Sequence, residues 1–139
     1  PGSGIGRDAG RCRRLNPGVV EFQAMKLFRW DHQPEESVNP SLSRQVIHGE
    51  QMTLALIHLR KGAKVASHRH HHEQLSKVES GLVHFTVEGE EAMLQAGDMI
   101  LIPAGAAHSV EALSDCLVLD TFAPARDDWQ RGEDAYLRS

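Results

Sequence analysis

The chain has 139 residues, 40% hydrophobic and 24% charged, enough for one domain around one core and too few for two packed domains. With 15 Lys and Arg against 19 Asp and Glu, its net charge of -4 lacks the basic footprint of a nucleic-acid or anionic-membrane binder. No run approaches the roughly 18 apolar residues of a membrane span, and Arg11, Arg13 and Arg14 are not followed by a signal-peptide core, so a soluble cytoplasmic protein with reduced Cys12 and Cys116 is expected.

Residues 1–24 are rich in Gly and Arg and show no apolar periodicity. They read as a tag remnant or N-terminal extension, with one domain over 25–139 and a native start at Met25; an arm that pairs with a partner subunit is the alternative. From Ser41 onward, short apolar or alternating runs are cut by turn residues every 8 to 12 positions, the pattern of an all-β sandwich or barrel. The predicted strands are 43–48, 51–59, 64–68, 74–79, 82–88, 91–95, 99–102, 107–113 and 116–123, separated by turns such as Lys61-Gly62, Ser80-Gly81, Gly89-Glu90 and Ala96-Gly97. Residues 52–59 are mainly apolar on both faces, as in a strand covered on both sides. Helix is expected only after Pro124, with Trp129 and Tyr136 as packing anchors.

Histidine stands out: 9 in all, with His68, His70, His71 and His72 inside five consecutive positions. On a regular strand His68, His70, His72 and Gln74 share one face, while Arg69, His71 and Glu73 point to the other. Neutral imidazole is the common ligand of Zn, Ni, Cu and Fe(II), and an oxygen of Gln74 or Glu73 would complete a mixed site. His32, His48, His58 and His84 read instead as hydrogen-bonded surface residues. His108 follows Gly97, Pro103 and Gly105, which turn the chain into a strand and tightly out of it, so that a second strand carries an imidazole.

Gly62-x5-His68-x-His70-x3-Gln74-x6-Gly81 and Gly97-x5-Pro103-x-Gly105-x2-His108, with 15 residues between them, resemble the two motifs of the cupin superfamily. Gln74 stands where a glutamate is usual, and Ala112 where an asparagine is usual. The resemblance implies a double-stranded β-helix, a jelly-roll-like barrel, with a divalent metal (Ni, Zn, Fe or Mn) held by His68, His70, Gln74 and His108. Three imidazoles and a neutral amide would leave that ion its full charge and make it a strong Lewis acid.

The strand over 116–123 carries an acid, Asp120, on the same face as Cys116, Val118 and Phe122. A buried carboxylate is costly unless paired, so Asp120 either caps a turn, pairs with Arg126, or serves as an acid-base group. Asp120-x-Phe122-x3-Arg126 is similar to the end of the KdgF-type pectin-degradation cupins, described as uronate ketonisation enzymes, whose first motif also matches His-x-His-x-His-Glu-Gln at 68–74. Lys77 and Glu79 depart from that family's usual aromatic and aliphatic residues.

That narrower resemblance implies ketonisation of 4,5-unsaturated monouronates from pectin or alginate, an isomerisation with ring opening. Asp120 would shuttle the proton, Arg126 would grip the substrate carboxylate, and Phe122 would pack on the sugar. An Fe(II) dioxygenase and a non-catalytic sugar or metabolite sensor are the alternatives on the same barrel. A homodimer is expected, since a short barrel with exposed edges buries one in a partner.

Overall fold

Residues 41–123 carry short apolar or alternating runs, and every strand expected there forms: β4 (Leu42–His48), β5 (Thr53–Leu59), β6 (Lys64–His68), β7 (Glu73–Ser80), β8 (Val83–Val87), β9 (Glu90–Leu94), β10 (Met99–Ile102), β11 (His108–Ala112) and β12 (Cys116–Ala123). The structure is a computed structural model that describes residues 18–138; Cys12 and the first 17 positions of the expected extension lie outside the described residues. Three strands of three or four residues precede these, β1 (Val19–Glu21), β2 (Lys26–Phe28) and β3 (Glu36–Asn39), too short for alternation to reveal them.

The described residues form two compact units that divide between Glu35 and Glu36. In the first, β1 and β2 pair as an antiparallel hairpin that straddles Met25. Gln33 donates its side-chain amide to the Gly18 carbonyl at 2.9 Å.

In the second unit, one sheet has six strands in the order β10-β7-β12-β5-β4-β3, and the other has four, β6-β11-β8-β9. All pairings are antiparallel. This is the all-β, jelly-roll-like arrangement expected of a double-stranded β-helix. Between the sheets lies one core, drawn from Ala55, Ile57, Val78, Ile102 and Val118 of the larger sheet and Val83, Phe85, Leu94 and Ala112 of the smaller. Full burial of each large apolar side chain is worth about 1.5–3 kcal/mol. Strand β5 sits between β12 and β4 with both faces largely covered, which its mainly apolar sequence anticipates.

Turns hold the register. Gly81 ends β7 with φ +89°, and a Cβ there would stand 2.3 Å from the Asp115 carbonyl oxygen, so only glycine lets this turn pack on the start of β12. Pro124, without an N–H for the ladder, follows the last residue of β12. Two short helices close the chain, α1 (Asp127–Gln130) and α2 (Ala135–Arg138), and bury Trp129 and Leu137. No helix among the described residues is long and apolar enough to cross a membrane.

Candidate metal centre

His68 ends β6 and His108 opens β11, and the register of these strands sets the two residues directly opposite each other, with ring centroids 4.2 Å apart. His70 lies in the loop after β6. Gly105, held at φ +79°, donates its N–H to the His70 carbonyl at 2.7 Å and so ties this loop to the turn before β11. One ligand nitrogen from each of His68, His70 and His108 falls within 4.8 Å of the others. Gln74, near the start of β7, is buried between its register partners Ile102 and Phe122.

The hydrogen bonds around the rings decide their tautomers. Nδ1 of His68 donates to the Ala66 carbonyl (2.8 Å), that of His70 to the His72 carbonyl (3.0 Å), and that of His108 to the Ala106 carbonyl (2.9 Å). A carbonyl only accepts, so each Nδ1 carries the proton and each Nε2 presents a lone pair. Desolvation pushes His68 and His70 down to about 4 and lowers His108 as well, which keeps all three neutral near pH 7. Nε2 of His108 is buried with no partner.

Gln74 is oriented by the same logic: its Nε2 donates to Ser76 Oγ at 2.9 Å, which leaves Oε1 facing His70 Nε2 at 3.1 Å. Two acceptors at that distance do not hydrogen-bond each other; the spacing is that of neighbouring ligands on one ion. The donor set of three imidazole nitrogens and one amide oxygen therefore fits a divalent metal. The carbonyls behind each ring supply the outer support that orients metal-bound histidines.

Asp120 is reached from the same side chains. Register places Asp120 of β12 opposite Ser76 of β7, and Ser76 Oγ donates to Asp120 Oδ1 at 2.5 Å. Desolvation pushes the Asp120 carboxyl up to about 7, opposed by the bonds from Ser76 and Gln74 and by the charge of Arg126. Of the roles open to Asp120 in the sequence, the ion pair with Arg126 is not formed, because the Arg126 fork is taken by Asp128: Nε and Nη2 donate to its two oxygens at 3.0 and 2.8 Å. Nη2 also donates to Tyr136 Oη at 2.8 Å, and the guanidinium lies 4.7 Å from the Phe122 ring and 4.4 Å from the Trp129 ring, two rings that meet edge to face 5.2 Å apart.

His68, Gln74, His108, Asp120, Phe122 and Arg126 all line one cavity of about 540 Å³, counting its mouth open to solvent. The regular-strand parity of 68–74 is not realised: β6 stops at His68 and β7 starts at Glu73, so the intervening residues form a loop and the His72 ligand atom groups with those of His71 and Asp127 rather than with the triad. Sequence reasoning missed Ser76, Asp128 and the cavity role of Tyr136. Ser76 was within reach, being two residues from Gln74 on one face; Asp128 and Tyr136 carried no local signal. His48, His58 and His84 are polar-partnered as expected, by Thr53 (2.9 Å), Gln45 (2.9 Å) and Glu91 (3.2 Å), but are half-buried rather than on the surface.

A Cupin domain family model matches residues 55–122, the stretch that carries the triad, Gln74, Asp120 and Phe122. The chain is 31% identical over 107 residues to the pectin degradation protein KdgF of Dickeya dadantii, covering 75% of this chain and 97% of that one. Among solved structures, KdgF from Halomonas sp. aligns with a TM-score of 0.68 at 30% identity, over 71% of this chain and 93% of its own. An RmlC-like cupin from Shewanella frigidimarina aligns with a TM-score of 0.69 at 27% identity, over 86% and 98%. The chain belongs to the cupin family and is related within it to the KdgF-type pectin degradation proteins.

Proposed function

We propose that this chain is a metal-dependent isomerase that converts 4,5-unsaturated monouronates into their open-chain keto form. The observation that carries the reading is the continuous line of contacts from His70 through Gln74 and Ser76 to Asp120, which links an imidazole triad to an acid-base carboxyl. Similarity to a protein named for pectin degradation supports the substrate class.

His68, His70, Gln74 and His108 would hold a divalent ion, whose identity among Ni, Zn, Fe and Mn the donor set leaves open. When bound, the ion supplies Lewis acidity for substrate oxygens. The reaction moves one proton: the anomeric hydroxyl loses it, the C1–O5 bond breaks to leave an aldehyde, and C4 gains it as C5 becomes a ketone. Asp120 holds and moves that proton. Ser76 donates to Oδ1 and fixes the carboxyl, and the elevated Asp120 value suits a group that must both take and give.

Arg126 supplies positive charge for the substrate carboxylate. With Nε and Nη2 committed to Asp128 and Tyr136, this contact falls to Nη1 alone, a single hydrogen bond rather than a fork. Phe122 lines the cavity and carries the guanidinium over its ring. Exposed Leu75, Met99 and Leu101 at the β10 edge support the homodimer as part of this reading.

The test is loss of the conjugated ultraviolet band of purified unsaturated galacturonate and mannuronate, followed with metal-loaded and chelator-stripped protein. A metal-dependent fall faster than the spontaneous one is expected. No acceleration for either sugar with the ion bound overturns the reading, and oxygen uptake by iron-loaded protein replaces it with an oxygenase.

A further inference from the structure

A second cluster of ligand atoms lies outside the cavity triad. His71 and His72, in the loop between β6 and β7, and Asp127, the first residue of α1, each offer a ligand atom, and these fall within 4.8 Å of one another. The two rings are 4.0 Å apart and tilted by only 32°.

His72 is the unusual member. It is 1% exposed, yet neither ring nitrogen has a hydrogen-bond partner. A neutral imidazole carries one N–H and one lone pair, and leaving either unmet in a buried place is costly. His84 and His48, by contrast, meet carboxylate or hydroxyl partners within 3.2 Å. The nearest carboxylate to His72, Asp128 Oδ1, stands 3.9 Å from Nε2: too far to hydrogen-bond, but placed to support an N–H there once the other nitrogen is on an ion.

We propose that His71, His72 and Asp127 form a second divalent-cation site, separate from the cavity and suited to Zn²⁺ or a similar borderline ion by its two imidazoles and one carboxylate. His72 is the fixed ligand, held by burial. His71 and Asp127 are exposed, so rotation of their side chains closes them onto the ion. Asp127 is paired with Arg131 at 3.2 Å, but Arg131 also donates to Glu133 at 3.0 and 3.1 Å and keeps a partner when Asp127 turns away. An ion at this place clips the loop that carries His70 to the turn whose next residue, Asp128, holds the Arg126 fork.

The proposal is independent of the uronate reading and is tested by counting zinc. Four proteins are titrated with Zn²⁺ and scored by bound metal and by melting temperature: wild type, His71→Ala/Asp127→Asn, His68→Ala/His70→Ala, and the combination. His71 and Asp127 are exposed, so their replacement leaves the fold standing, which circular dichroism checks. Expected is one equivalent less in His71→Ala/Asp127→Asn than in wild type, and a zinc-induced rise in melting temperature of His68→Ala/His70→Ala that vanishes in the combined variant. Equal zinc content and equal affinity, within twofold, in wild type and His71→Ala/Asp127→Asn overturns the site. Loss of zinc from His68→Ala/His70→Ala alone speaks to the cavity triad and leaves this comparison intact.

Discussion

Two regions of the larger unit bury polar groups in opposite ways. Beside α1 and α2, Arg44 of β4 is nearly fully buried, with Nη2 on Asp134 at 2.5 Å, Nε 3.4 Å from Glu36, and its guanidinium 4.5 Å over Trp129. Arg138 joins both acids, so this cluster is almost closed; only Arg44 Nη1 goes without a partner. In the cavity, three imidazole lone pairs and an amide oxygen face each other with no donor between them. The first region uses its charges on itself and holds α2 to β3 and β4. The second leaves its acceptors for something that is not part of the chain, which marks a binding site.

Removing the proposed acid-base group should give the largest effect. Asp120→Ala is expected to cut turnover by about 100- to 10,000-fold while bound metal, measured by elemental analysis, stays at the wild-type level. A variant within a few-fold of wild type would remove Asp120 from the mechanism. The closed cluster should answer in stability instead: Asp134→Ala strands the buried Arg44 charge and is expected to cost about 3–5 kcal/mol in chemical denaturation, with activity per folded molecule unchanged. Loss of activity beyond loss of fold would break the separation between the two regions.

Tyr136 sits where they meet. Its hydroxyl accepts from Arg126 Nη2 at 2.8 Å and from Trp129 Nε1 at 3.1 Å, and its ring lies 4.5 Å from that of His68. Tyr136→Phe should lower stability by about 1–3 kcal/mol through the two stranded donors and raise KM more than it lowers kcat, since Arg126 loses part of its anchor. Equal effects on both constants would assign Tyr136 to the chemistry itself.

The smallest expected effect is on acid stability. Hydrogen bonds from Arg138 hold Glu36 and Asp134 below their ordinary values of 4.5 and 3.8. A carboxyl lowered in the folded state stabilises above its unfolded value, and that stability is lost as pH falls through the lower folded one. Melting temperature should therefore fall below about pH 4, and less steeply in Glu36→Gln. An unchanged slope would show that the exposed half of the cluster contributes nothing.

Much of the fold was legible because β4 to β12 are written as alternating or short apolar runs cut by turn residues. β1, β2 and β3 were not, since three or four residues give no period. The site was legible in part. His68, His70, Gln74 and His108 stand out by type and spacing, and the structure brings them together. His72 also stood out, on a strand parity that the loop before Glu73 breaks.

By itself, the sequence determined the all-β pattern, the turns at Gly81 and Gly105, the crowding of histidines and the presence of an acid in an apolar strand. These are local properties, written in side-chain period and backbone freedom. Only the tertiary structure decided which histidines share a centre, which nitrogen each presents, that Ser76 joins Gln74 to Asp120, and that Asp128 takes the fork of Arg126. Each of those depends on the register between strands distant in sequence, or on a carbonyl that a turn brings behind a ring, and no local pattern encodes either.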